Sequence, residues 1–227
     1  MRRLLGKICG IVFAQDEKDA LQEIDVAIDL GADLVELRLD SILDANLSRL
    51  VKYRGIPKIV TDLAGKRSDE ERVQSLRKAI SLHPSYVDIN LDFRLGSQVR
   101  DGLISLARSH QIKVICSFHD YEKTPPESIL LSAISQMKGT GADIGKIAVE
   151  AHSVEDCKLV LDIIPKSAQT GFPLIAFSTG ELGSFTRLVN PIYGSFLTYA
   201  PISADRCSLG QIPLEAMVSI YKKMGLI

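Results

Sequence analysis

The 227-residue sequence has no tryptophan, no Cys-x-x-Cys pair and no block of like charges. Its four cysteines lie far apart, so their spacing predicts neither a zinc site nor a redox motif, and unpaired thiols are typical of a reducing cytoplasm. A net charge of -1 at pH 7 offers no positive surface for a polyanion. We therefore expect a cytoplasmic protein with no metal and no nucleic acid partner.

Long hydrophobic runs are also missing. No apolar stretch approaches the roughly 20 residues that a membrane-spanning helix needs. The N-terminal apolar stretch, Ile8 to Ala14, follows Lys7 and is short for a signal peptide, and no A-x-A cleavage site follows it. We interpret it as a buried first strand, and we expect no membrane partner.

Short apolar runs, by contrast, recur along the whole chain and alternate with stretches of helical periodicity. Ser68-Asp-Glu-Glu71 predicts a capping box at the start of one helix. Thr124-Pro-Pro-Glu127 predicts another helix start, with Thr124 as the N-cap and Pro125 at the first helical position. The eight runs with strand character are Ile8 to Phe13, Leu34 to Leu39, Lys58 to Leu63, Tyr86 to Leu91, Ile112 to Phe118, Ile144 to Val149, Leu174 to Ser178 and Phe196 to Ala200.

Eight such units at a spacing of roughly 25 to 30 residues predict a (β/α)8 TIM barrel, formed by residues 1–227 as a single domain. The alternative is an open doubly wound sheet. That fold would need a glycine-rich turn after the first strand, where Gly10 stands alone.

Lys146 is the most informative residue for function, because it lies inside an otherwise apolar strand. A surface lysine on an edge strand would be the simplest explanation, but a closed barrel has no edges. Burial disfavours an ammonium group and lowers its pKa, which makes the amine nucleophilic towards a ketone. We therefore expect Lys146 to form a Schiff base.

Other candidate residues lie at the predicted carboxyl ends of strands, where barrel active sites form. Glu36, Arg38 and Asp40 share one face of the second strand. They form either a wall of the active site or a structural ion cluster. His119 lies at the end of the fifth strand. It is either a structural histidine or a general base near Lys146. Arg187 follows a glycine-containing turn. It is either a solvent-exposed helix residue or a residue that binds the carboxylate of a ligand.

Together these residues resemble type I 3-dehydroquinate dehydratase, the Schiff-base enzyme of the shikimate pathway. The resemblance implies that Lys146 forms the imine and that His119 is the base. It also implies that Glu36, Arg38, Arg187 and Gln211 bind the substrate. The matching segments are Glu36-Leu-Arg-Leu-Asp40, Ser117-Phe-His-Asp-Tyr121 with Thr124-Pro125, Gly145-Lys-Ile-Ala148, Ser178 to Arg187, and Gly210-Gln-Ile212.

The same resemblance implies a reaction that needs no cofactor and no metal. Lys146 attacks the C3 ketone of 3-dehydroquinate, His119 removes a proton from C2, and the C1 hydroxyl leaves as water with a proton from His119. Hydrolysis of the imine then releases 3-dehydroshikimate. The resemblance also suggests a homodimer.

The chain departs from the family pattern at three places. Leu63 stands where an arginine of the family pattern would bind substrate. Arg67 lies near the position of a glutamate that would pair with the histidine. Lys66 or Arg67 is a possible replacement for the missing arginine. Asn90 stands where an acidic residue is expected on the fourth strand. Cys207-Ser208 occupies the position of a serine near the C-terminus.

Two other functions are compatible with the sequence. A class I aldolase would use the same barrel and the same lysine, with a phosphate bound at the turns after the seventh and eighth strands. A non-catalytic homologue that binds a shikimate-like ligand is consistent with the changes at Leu63 and Arg67. Reduction by borohydride in the presence of 3-dehydroquinate distinguishes an enzyme from a binding protein.

Overall fold

A computed structural model describes residues 6–42, 45–63, 67–91, 96–203 and 211–227. These residues form one sheet of eight parallel strands in the order β7-β6-β5-β4-β3-β2-β1-β8. The strands are β1 (Lys7–Val12), β2 (Leu34–Arg38), β3 (Lys58–Thr61), β4 (Tyr86–Asn90), β5 (Lys113–Asp120), β6 (Ile144–Glu150), β7 (Leu174–Thr179) and β8 (Leu197–Pro201).

The sheet curls into a nearly closed barrel. Its seam lies between β7 and β8, where the Phe196 amide donates a 2.9 Å hydrogen bond to the Leu174 carbonyl. Helices connect the strands, as the (β/α)8 prediction requires. They are α1 (Glu17–Leu30), α2 (Leu47–Lys52) with a following 3-10 turn (Tyr53–Gly55), α3 (Asp69–Ile80), α4 (Ser97–Ser109), α5 (Glu127–Gly139), α6 (Val154–Gln169), α7 (Gly180–Gly183), α8 (Thr186–Val189) and α9 (Leu214–Lys223).

The local signals explain most of these boundaries. The predicted capping box is present at α3, where the Ser68 side chain accepts from the Glu71 amide and Glu71 accepts from the Ser68 amide. The prediction that Thr124 caps α5 is wrong. Helix α5 begins at Glu127 with Pro126 as its N-cap, because a residue that precedes proline disfavours the helical conformation and Pro125 therefore stays outside the helix.

Alternation along the strands divides the apolar side chains into two layers. One face of each strand packs against the helices, and the other points into the barrel, where it forms a separate buried cluster. The barrel interior is apolar towards the amino ends of the strands. Polar side chains lie on the same inward faces towards the carboxyl ends of the strands. The inward-facing apolar residues include Cys9, Leu34, Ile59, Ile115, Ile144, Ile175, Leu197 and Tyr199.

No helix in the described ranges is long and apolar enough to span a membrane. Within the same residues, no group of three or more histidine, cysteine or acidic side chains is arranged to hold a metal ion.

Candidate active site

A cavity of about 570 Å³ opens at the carboxyl ends of the barrel strands. Strand alternation explains its lining, because residues two apart on one strand project to the same interior. All six side chains predicted to form a site line this one cavity. They are Glu36, Arg38, His119, Lys146, Arg187 and Gln211.

Lys146 lies inside the barrel, with Ser117 on β5 and Ile175 on β7 as its strand neighbours. Its Nζ atom donates to Asp88 Oδ2 at 2.7 Å and to Glu36 Oε1 at 3.3 Å. Only 4% of Lys146 is exposed. The amine is therefore held in a fixed position by two carboxylates in a dry interior.

The expectation that Lys146 has a lowered pKa is wrong, although burial acts in the direction expected. Burial does disfavour the ammonium form, but the negative charges of Asp88 and Glu36 outweigh it and raise the pKa above the ordinary lysine value. Lys146 is thus an ammonium group in the resting protein, and it must lose a proton before it can attack a carbonyl carbon.

Asp88 is a site residue that the sequence reasoning missed. An acidic residue was expected at the position of Asn90. Asp88 instead lies two residues earlier, on the same face of β4, and accepts a hydrogen bond from Lys146. The alternation of Tyr86, Asp88 and Asn90 was the available signal. Asp88 Oδ1 is buried, and no described residue donates a hydrogen bond to it.

His119 lies near the end of β5, inside the strand because β5 continues to Asp120. Burial and then the positive charge of Lys146 lower the pKa of His119 to about 3, so the imidazole is neutral at physiological pH. Its ring stacks on Tyr121, with 5.6 Å between centroids. Its buried Nδ1 atom has no hydrogen-bond partner among the described residues.

The two arginines of the cavity differ in what they can offer a ligand. Arg38 donates from Nε and Nη2 to the two carboxylate oxygens of Asp40, at 2.9 Å and 2.6 Å. Arg187 forms no ion pair within the described part of the chain; its guanidinium carbon lies 3.9 Å from the centroid of the Phe177 ring. Burial lowers the pKa of Arg187 to about 10, against the opposing charge of Glu36. Arg187 is therefore a buried cation whose charge-assisted hydrogen bonds suit an anionic ligand.

The departures from the family pattern have partial structural answers. Leu63 lines the cavity, so an apolar side chain occupies the place where an arginine was expected. Arg67 donates to Asp62 at 2.9 Å and to Ser75 at 3.1 Å and does not line the cavity. Arg67 is therefore not a replacement cation in this structure. Lys66 and Cys207-Ser208 lie outside the described residues.

A model of the family described as type I 3-dehydroquinase matches residues 8–227. A 3-dehydroquinate dehydratase of Methanococcus maripaludis is 31% identical over 227 residues, covering 96% of this chain and 100% of the relative. The crystal structure of the 3-dehydroquinate dehydratase from Aquifex aeolicus is 31% identical, with a TM-score of 0.80 and coverage of 96% of this chain and 98% of that one. The Clostridium difficile enzyme, at 24% identity and a TM-score of 0.84 over 99% of this chain and 98% of that one, shows the same fold.

Proposed function

The chain belongs to the type I 3-dehydroquinase family, and from this premise we infer that its barrel converts 3-dehydroquinate to 3-dehydroshikimate and water through an imine on Lys146. This is a hydro-lyase reaction of the shikimate pathway, which leads to the aromatic amino acids. The observation that supports the assignment most directly is the buried Lys146 amine, 2.7 Å from Asp88 and in the same cavity as a neutral His119.

The first step is deprotonation of Lys146. Its ammonium group transfers a proton to Asp88, whose Oδ1 accepts no hydrogen bond from a described residue. Glu36 is the poorer acceptor, because its Oε1 already accepts from Thr61 at 2.9 Å. The free amine adds to the C3 carbonyl, and the resulting hydroxyl leaves as water when the proton returns from Asp88, which leaves an iminium ion beside two carboxylates.

The second step is elimination, and His119 carries it. The iminium group acidifies the C2 proton because the electron pair released there can move into the carbon–nitrogen bond. A neutral imidazole accepts that proton, and the pKa of about 3 keeps His119 in this form at working pH. The imidazolium then protonates the C1 hydroxyl, which leaves as water, and hydrolysis of the imine releases the product.

The remaining residues position the substrate. Arg187 binds the carboxylate with two parallel hydrogen bonds, since no described acidic side chain occupies its donors. Glu36 and Gln211 bind ring hydroxyls. Arg38 contributes the three N–H donors that Asp40 leaves open. Holding the reacting atoms in line is a large part of the rate enhancement in reactions of this type.

The two alternatives receive less support. A class I aldolase would share Lys146 and the barrel, but the family assignment favours dehydration. A non-catalytic binding protein would be consistent with Leu63, yet Lys146, His119 and Arg187 line one cavity together. Inhibition by phosphate esters would favour the aldolase, and ligand binding without turnover would favour the binding protein.

Comparison of two buried lysines tests the assignment. Lys146→Met should abolish the appearance of the conjugated product, measured by ultraviolet absorbance. Lys58→Met is the matched control: Lys58 is 2% exposed and bonded to backbone carbonyls of Tyr53 and Ile56, outside the cavity. The Lys58 variant should keep its turnover where it remains folded. Near wild-type activity in Lys146→Met would refute the imine mechanism.

We also infer a homodimer in the cytoplasm. Several large apolar side chains remain exposed near α7 and α8, including Leu182, Phe185, Ile192 and Tyr193, and a second copy of the chain would cover them. The described cysteines Cys9 and Cys157 are free thiols, in keeping with a reducing compartment. Light scattering on the purified protein gives the subunit number directly.

A further inference from the structure

The two substrate-facing cations of the cavity both lie on aromatic rings. The guanidinium carbon of Arg187 is 3.9 Å from the centroid of Phe177 on β7. The Nζ atom of Lys146 is 4.5 Å from the centroid of Tyr199 on β8. The two rings meet edge to face, with centroids 6.0 Å apart and planes at 68°. A continuous row therefore connects the amine to the guanidinium through two packed rings.

An aromatic face holds a cation differently from a carboxylate. The ring attracts the positive charge through its quadrupole and accepts no conventional hydrogen bond, so the N–H groups of the cation stay available. Arg38 also lies over a ring, with its guanidinium carbon 5.0 Å from the Phe13 centroid, but the carboxylate of Asp40 occupies two of its donors. Arg187, which rests on Phe177, has no such competitor in the described chain.

We propose that Phe177 and Tyr199 are positioning residues that fix the spacing between the imine-forming amine of Lys146 and the carboxylate-binding guanidinium of Arg187. The inference rests on the proposed function. A substrate held at its carboxylate by Arg187 would present its ketone to Lys146 only if this spacing matches the substrate. The edge-to-face contact sets that spacing, because both rings are almost fully buried in the packed interior.

The ring of Tyr199, not its hydroxyl, performs this role. Tyr199 is 1% exposed, and its hydroxyl oxygen has no hydrogen-bond partner among the described residues. Burying a hydroxyl without a partner costs stability. Tyr199→Phe keeps the ring beneath Lys146 and removes this unpaired group, so the variant should retain turnover and unfold at a temperature no lower than the wild type.

Steady-state kinetics on leucine variants separates the two rings. Phe177→Leu removes the support of Arg187 and should raise KM for 3-dehydroquinate about 10- to 30-fold, with kcat changed by less than about threefold. Tyr199→Leu removes the ring beneath Lys146 while Asp88 and Glu36 still bind the amine, and it should lower kcat about 10- to 30-fold with a smaller change in KM. Tyr199→Phe should restore kcat to within about threefold of the wild type.

Phe172→Leu is the control for losing a buried phenyl ring. Phe172 is 4% exposed, packs in the outer core and does not line the cavity, so this variant should lose stability while KM and kcat stay near wild type. The proposal fails if folded Phe177→Leu keeps the wild-type KM, or if Tyr199→Phe is as slow as Tyr199→Leu. If the wild type turns over 3-dehydroquinate, either of these variant results would overturn the positioning role alone. A wild type that does not turn over 3-dehydroquinate would overturn the proposed function.

Discussion

Substitution of Asp88 by asparagine tests how Lys146 becomes a nucleophile. In the proposed mechanism, the proton of the Lys146 ammonium moves to Asp88, 2.7 Å away, so the resting and reactive forms carry the same number of protons. Because kcat/KM reports ionisations of the free enzyme, it should be nearly independent of pH between about 6 and 9. In Asp88→Asn the proton must leave to solvent, and kcat/KM should rise about tenfold per pH unit in that range.

The size of the loss follows from how the amine is formed. The proposed wild-type route frees it by transfer to Asp88, whereas the variant depends on the small fraction of Lys146 that has already lost its proton to solvent. Removal of an opposite charge in contact lowers a lysine pKa by about 1 to 3 units, which offsets part of the increase that the two carboxylates cause. If the variant has the ordinary lysine value of about 10.4, roughly one amine in a thousand is free at pH 7. We therefore expect kcat/KM at pH 7 to fall by about 100- to 1000-fold and to recover as the pH is raised.

The assay is the absorbance of the enone product across a pH series, with substrate well below KM. Asp62→Asn is the matched control, because Asp62 is also a buried carboxylate, but it pairs with Arg67 and does not line the cavity. That variant should keep a flat profile. An Asp88→Asn enzyme with a flat profile and wild-type kcat/KM at pH 7 would refute proton transfer to Asp88.

Four further results are expected. The ring signals of His119, assigned by NMR with His119→Gln, should not titrate between pH 5 and 8, because burial lowers its pKa to about 3; an inflection near 6.5 would contradict this. The wild type should lose stability as the pH falls from about 6.5 towards 3, because the unfolded chain binds a proton at His119 in this range and the folded chain does not. The His119→Gln variant should lose less stability over the same range. Arg187→Met should raise KM about 10- to 100-fold with a smaller change in kcat, and an unchanged KM would remove Arg187 from the binding site. Gly180→Ala should lower the free energy of unfolding by about 1 to 2 kcal/mol, because φ is +79° there and the flexible carboxylate of Glu150 would have to move away from the new Cβ. Gly171→Ala, at φ +74° in open space, should lose only about 1 kcal/mol, and a larger loss at Gly171 than at Gly180 in urea unfolding would show that the Glu150 contact is unimportant.

The fold could be predicted because its signals are local and repeat. Each of the eight predicted strands is present, with ends displaced by at most a few residues, and the displacement matters at β5, which extends to Asp120 and so includes His119. The helix start at Thr124 could not be read from its N-cap chemistry alone. Two consecutive prolines delay the helix to Glu127, and the Thr124 hydroxyl donates to the Glu150 carbonyl at 2.7 Å instead.

The position of the six predicted side chains around one cavity was predictable, but Asp88 and the electrostatics of the cavity were not. Strand parity and order place Glu36, Arg38, His119 and Lys146 at the barrel mouth, whereas Arg187 and Gln211 reach the same cavity from segments that follow β7 and β8. The protonation of Lys146 depends on which side chains meet across the interior, between β4 and β6 and between β2 and β6. Those contacts are set by the curvature and tilt of the closed barrel, which parity along a single strand does not specify.

The central claim is that one buried amine, that of Lys146, bonds covalently to the ketone. Incubation of the wild type with 3-dehydroquinate and sodium borohydride, followed by peptide mass spectrometry, tests it most directly. One irreversible adduct per chain is expected, located on Lys146, together with loss of activity. An unmodified Lys146 peptide from an enzyme that turns over the substrate, or an adduct on another lysine, would contradict it.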